Sequence, residues 1–141
     1  SMDFIVAQSD AKLSARFVKM GVVPELASSH FLVQRCGWGM ASDLALSGRT
    51  ISGDEAKKIG LVDEVVPGDV VGAAVTRARS YAENAPSSLQ LTKRLLTENA
   101  SETDLDLVQR REGRANEEAG STPEHREAVN AFLEKRAPKF R

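Results

Sequence analysis

The sequence predicts a helix-rich α/β chain with a few short strands gathered toward its front. Three observations carry that expectation. Asp3-Phe4-Ile5-Val6-Ala7 and Leu61-Val62-Asp63-Glu64-Val65-Val66 are short apolar runs with β-branched residues, bounded by turn formers. From Asp69 onward the apolar residues recur at helical spacing. Glycines, prolines and small polar residues stand where helices start and stop.

Taken in order, Asp3–Ala7 reads as a buried strand and Gln8-Ser9-Asp10 as a turn. Lys12 to Phe17 alternates polar and apolar residues, which predicts a second short strand. Gly21 lets the chain turn, and Pro24 suits the first turn of a helix, so a helix is predicted from Glu25 to about Arg35. Gly37 supplies its stop. Met40 to Ser47 predicts a further helix closed by Gly48, followed by a brief extended link at Thr50-Ile51. Ser52-Gly53-Asp54-Glu55 has the form of a capping box, in which Ser52 caps forward and Glu55 reaches back. That short helix stops at Gly60. The Leu61–Val66 strand ends at Pro67-Gly68.

In the second half, Val70, Val71, Ala74, Ala78, Tyr81 and Ala82 form one helical stripe, broken at Asn84-Ala85-Pro86. Leu89, Thr92, Leu95 and Leu96 form the next. A mostly charged helix is predicted from Asp104 to Ala119, ended by Gly120. Thr122-Pro123-Glu124 then marks an N-cap, a proline at the first helical position and a first-turn acid. Val129, Phe132 and Leu133 make one apolar side of the last helix. Strands need neighbours to satisfy their backbone groups. The few at the front are expected to be the tail of a sheet whose earlier strands lie outside the chain. Ser1-Met2 reads as a cloning remnant.

Bulk composition excludes several classes. The 141 residues suffice for one domain with a real core. A net charge of −1 gives no electrostatic case for nucleic acid or an anionic membrane surface. No apolar run approaches a membrane span, and no secretory signal is present. The single cysteine, Cys36, excludes an internal disulfide framework and fits a reducing, cytoplasmic setting. Set in an apolar run, it reads as a structural thiol.

His30 and His125 lack Cys or His partners at metal-ligand spacing. No phosphate loop, dinucleotide fingerprint or nucleophile elbow is present. His30 lies five residues beyond Glu25, a spacing that does not share a helical face, so no dyad is read there. Trp38, between two glycines, reads as an apolar plug for a loop. Ser28-Ser29 suits either small-residue packing or hydrogen bonding to a ligand. Glu25 is the informative carboxylate. It sits at a helix start among Val22, Val23, Leu26, Phe31 and Leu32, and is either a first-turn acid or a general base. The terminal Glu134-Lys135-Arg136-Ala137-Pro138-Lys139-Phe140-Arg141 run is basic. It suits either a solvated helix end or a phosphate-bearing ligand.

The order of parts resembles the enoyl-CoA hydratase/isomerase (crotonase) superfamily. The residues that carry the resemblance are Gly21-Val22-Val23-Pro24-Glu25-Leu26-Ala27-Ser28-Ser29 and Leu46-Ser47-Gly48-Arg49-Thr50-Ile51-Ser52-Gly53-Asp54-Glu55-Ala56. Gly60-Leu61-Val62-Asp63-Glu64-Val65-Val66-Pro67, Leu91–Leu96 and Phe132–Arg136 complete it. It implies the C-terminal portion of the ClpP-like spiral fold. Residues 1–67 would end the spiral core and carry the Glu25 turn-helix, and 68–141 would form a C-terminal helical trimerisation region. It also implies an acyl-CoA substrate and proton transfer through an enolate, as double-bond isomerisation or hydration.

Glu25 matches the acid/base position of isomerase-like members. Phe17 stands where hydratases place a second glutamate, which shifts weight toward isomerisation. Phe17, Met20, Val22 and Leu26 would line the acyl pocket, and Phe132 and Lys135 would meet the coenzyme A. No cofactor is implied beyond coenzyme A as part of the substrate. No metal, nucleic-acid or membrane partner is implied, and a homo-oligomer is, the family forming trimers or hexamers. The oxyanion-hole segment maps onto no residue here, so the chain alone is expected to be inactive. The other reading is a non-catalytic, oligomerising helical fragment.

Overall fold

A computed structural model describes residues 2–140. Ser1, the first residue of the Ser1-Met2 stretch read as a cloning remnant, and the last basic residue, Arg141, lie outside the described residues. The chain divides into two compact units, Ser1–Thr76 and Arg77–Arg141.

The first unit holds four short strands: β1 (Val6–Gln8), β2 (Leu13–Ser14), β3 (Thr50–Ile51) and β4 (Glu64–Val66). β1 pairs in parallel with β4, Ala7 opposite Val65, and β2 pairs antiparallel with β3, Leu13 opposite Ile51. Among the described residues each sheet has two strands. The strand expected over 12–17 stops at Ser14, because Arg16–Met20 closes into a 3-10 helix. Gly21 ends that helix at φ 72°, a conformation glycine adopts without a Cβ penalty.

The long helix α1 (Ser28–Ser47) carries both helices expected around Gly37. Gly37 stands inside it at φ 72°, ψ 166°, a conformation nearly confined to glycine, and kinks it there. The helix begins at Ser28 rather than at Glu25. Leu26 and Ala27 both take left-handed φ values, 52° and 58°, and so interrupt the turn that Pro24 and Glu25 would otherwise open. Trp38 is exposed on α1 and plugs no loop.

Helix α2 (Gly53–Lys58) makes half of its expected capping box. Ser52 Oγ accepts from the Glu55 N–H at 3.1 Å. The Glu55 carboxylate does not reach back; it accepts from Arg49 at 2.6 Å instead. The helix start lies so close to β1 that a Cβ on Gly53 would stand 1.8 Å from the Gln8 carbonyl oxygen. Leu44, Ile51, Ala56 and Val62 form the buried centre, with Ile5, Ala7, Leu13, Cys36 and Val65 packed against it. Cys36 is the structural thiol expected. Its Sγ donates to the Leu32 carbonyl, and burial pushes its pKa up.

Helix α3 (Val70–Ala82) buries none of its stripe fully. In the second unit, α4 (Pro86–Asn99) starts on Pro86, and α5 (Leu105–Gly120) is capped by Asp104, which accepts from the Leu107 N–H at 3.1 Å. Helix α6 (Pro123–Leu133) is capped by Thr122 with Pro123 at its start. α4 packs on α5, and α6 on α5. The side of α6 that reads as its core face points outward: Phe132 is 83 % and Leu133 72 % exposed, while Ala131 is buried.

Candidate active site

The first unit contains an apolar pocket of about 350 Å³. Leu13, Ala15, Phe17, Leu32, Leu44, Ile51 and Leu61 line it, and Ser14 and Ser28 are its polar members. Its walls follow from local structure. β2 contributes Leu13, the 3-10 helix contributes Phe17, and the first turns of α1 contribute Ser28 and Leu32. Ile51 and Leu44 form its inner side and belong to the buried centre.

Glu25 is tied to this pocket through the backbone. Its carbonyl oxygen accepts from both the Ser28 N–H, at 3.0 Å, and the Ser28 hydroxyl, at 2.6 Å. Ser28 is thus both a pocket wall and the anchor of the Glu25 turn. The Glu25 side chain itself is exposed. Two consecutive left-handed non-glycine residues follow it, a costly arrangement of the kind that collects at functional turns.

The other residues named from the sequence are distributed unevenly. Phe17 lines the pocket. Met20, Val22 and Leu26 are exposed, at 75 %, 52 % and 90 %, outside the pocket lining. Phe132 and Lys135 belong to the second unit, at the end of α6 and just past it. Lys135 has φ 53° and is exposed. His30 is exposed and stacks edge-on against Phe31 at 5.4 Å. No group of three or more His, Cys, Asp and Glu among the described residues could hold a metal ion. No helix among them is long and apolar enough to cross a membrane.

Two charged residues that shape the site's surroundings went unread in the sequence. Asp63 Oδ2 accepts from the Ile5 N–H at 2.7 Å and from Arg35 at 3.0 Å. Arg35 also donates to the Met2 carbonyl, and Lys57 to that of Asp63. Asp63 therefore joins α1, α2 and the entry to β1. An acid inside an apolar strand run was the available signal, since such a group is tolerated only with partners. Arg49 bridges Asp43 and Glu55, each at 2.6 Å, and fastens the end of α1 to the start of α2. Its two carboxylates raise its pKa through hydrogen bonds, Asp43 first.

A family profile described as enoyl-CoA hydratase/isomerase matches residues 1–141. The short-chain-enoyl-CoA hydratase of Clostridium acetobutylicum is 33 % identical over 137 residues, covering 96 % of this chain and 52 % of that protein. The 2,3-dehydroadipyl-CoA hydratase of Escherichia coli is 29 % identical, covering 99 % of this chain and 54 % of that one. Among solved structures, the enoyl-CoA hydratase of Bacillus anthracis superposes with a TM-score of 0.91 at 32 % identity, over 98 % of this chain and 54 % of that one. The chain spans about half the length of the curated relatives it matches. With the profile covering every residue and the fold shared at that level, the chain belongs to the enoyl-CoA hydratase/isomerase (crotonase) superfamily.

Proposed function

We propose that these residues supply the acid/base side of an acyl-CoA site, with Glu25 as the proton carrier. The observation that carries this reading is the Ser28 junction. One residue walls the apolar pocket and fixes the Glu25 turn, so an acyl chain beside Phe17 and Leu32 and a carboxylate share a common mount. The pocket's apolar lining suits a hydrocarbon tail.

The chemistry follows from elementary requirements. A proton next to a thioester carbonyl becomes acidic only if the electron pair can pass to the carbonyl oxygen. Glu25 takes the proton from C2, and an enolate forms. Returning that proton at C4 of a 3-enoyl thioester moves the double bond into conjugation. In hydration, water adds at C3 and C2 takes up a proton. Both routes move protons and electron pairs without a redox group, and coenzyme A arrives as part of the substrate. Phe17 occupies the place of a second carboxylate that would handle water, which favours isomerisation. The developing oxyanion needs aimed N–H donors, whose loss typically costs about 10²–10³ in rate. No residue of this chain is assigned that role, so turnover is proposed to require residues beyond these 141. Phe132 and Lys135 are the proposed contacts to coenzyme A, and the natural assembly is proposed to be a homo-oligomer, a trimer or hexamer.

The test compares 3-enoyl-CoA isomerisation with 2-enoyl-CoA hydration, in this chain and in a longer protein that carries it. Glu25→Gln in the competent form is expected to lower kcat about 10²–10⁴-fold with the fold intact. Normal turnover by that variant overturns the assignment of Glu25. Turnover by the 141 residues alone overturns the need for further ones. The exposed Val129, Phe132 and Leu133 on α6 favour a second reading, an oligomerising module without catalysis. Absence of activity in every form, with self-association retained, would select it.

A further inference from the structure

Lys135, Leu26 and Ala27 are the non-glycine residues at positive φ among the described residues. The latter two directly follow the proposed base. Lys135 ends α6 in the conformation that usually belongs to glycine, so its surroundings must hold it there. The helix end supplies part of the hold. The Lys135 N–H donates to the Phe132 carbonyl at 3.2 Å and the Arg136 N–H to the Ala131 carbonyl at 3.0 Å.

The rest comes from Arg136. Its Nη1 and Nη2 donate to the two carboxylate oxygens of Glu127 at 2.6 and 3.0 Å, and its Nε donates to Glu134 at 2.6 Å. Glu127 Oε1 also accepts from the Lys139 N–H at 2.7 Å. A lone surface ion pair contributes little, but a two-pronged fork with a third bond on the same carboxylate has defined geometry. Residues 136 and 139 are thus both moored to Glu127, one turn into α6, and Lys135 is held just ahead of them. None of these bonds uses the Lys135 ammonium. Arg136, by contrast, is engaged by two carboxylates and has less charge to offer a ligand.

We propose that Glu127 and Arg136 are positioning residues whose fork presets Lys135 for the phosphates of a coenzyme A thioester. This rests on the reading of Lys135 given above and adds the device that sets it. A long lysine normally gives up rotamer and backbone freedom on binding, and a preset backbone removes part of that cost.

The test is calorimetric titration, with coenzyme A itself, of a longer protein that carries these 141 residues, the form in which the site is proposed to be complete. Lys135→Ala and Arg136→Ala are each expected to weaken binding about fivefold or more, and the double variant little further, as for residues acting as a unit. Glu127→Ala, which removes the fork and leaves the basic tail untouched, is expected to weaken binding as Arg136→Ala does. Melting curves accompany each variant. Should Arg136→Ala unfold, Arg136→Lys keeps the charge, loses the fork and carries the same test. If Arg136 variants bind normally while Lys135→Ala does not, the fork is only structural and the proposal falls, with the reading of Lys135 intact. Losses that simply add also overturn it. If Lys135→Ala binds normally, or the unmodified longer protein binds no coenzyme A, the reading of Lys135 fails first.

Discussion

Asp63 shows how one carboxylate can organise a small unit. Its side chain is 29 % and that of its partner Arg35 19 % exposed, sheltered enough for the pair to matter. Replacing Asp63 with Ala leaves the Ile5 N–H and Arg35 without this acceptor, and a half-buried donor that loses its partner costs about 1–3 kcal/mol. Asp63→Asn keeps an oxygen for Ile5 and is expected to lose less. Equilibrium denaturation checks both. An Asp63→Ala protein unfolding within about 0.5 kcal/mol of the unmodified chain would behave like a plain surface substitution and sink the account. Cys36 and Ser52 are legible in the sequence because each acts on its immediate neighbours. Asp63 reaches Arg35 and Ile5, 28 and 58 residues away, and no local pattern announces such partners.

At the scale of elements, glycines and caps were legible, and exact helix starts were not. Gly37, Gly48 and Thr122 mark their boundaries because the local φ or cap decides them. Pro24 and Glu25 have the composition of a helix start, yet Leu26 and Ala27 lie in left-handed positions that no side-chain preference foretells. The tail after α6 offers the sharpest test at this scale. Hydrogen bonds from Arg136, then from the Lys139 N–H, hold the Glu127 carboxyl at about 2, below its ordinary 4.5. A depressed carboxyl pKa contributes stability that is fully present above the unfolded value and is lost as pH falls through the folded one. The tail is therefore expected to loosen between about pH 4.5 and 2. Exchange of the Lys139 amide, followed by NMR across that range, reports it. Glu127→Gln should loosen the tail at neutral pH and abolish the acid-dependent step. An unchanged acid response in that variant would assign the step to another group.

For the molecule as a whole, the open question is what covers its apolar surface. On α6, Val129, Phe132 and Leu133 share a face by their spacing and are 43 %, 83 % and 72 % exposed. In the first unit Leu26 and Trp38 are 90 % and 76 % exposed. Scattered exposed apolar residues are ordinary, but three large ones on one helical face make a contiguous patch that calls for a cover. The sequence could assign these residues to a helix face. It could not say whether that face meets the chain's own core or another surface, because periodicity reports sidedness and not the partner. The expected outcome is concentration-dependent association in sedimentation velocity experiments. Val129→Glu with Leu133→Glu should weaken it, since two like charges on the face penalise burial. Those substitutions leave the Glu127–Arg136 fork unaltered, so a loss of association would be separable from a loss of coenzyme A binding. A single monomeric species at about 100 μM, within the range where exposed apolar surface drives association, would show that the α6 face needs no cover.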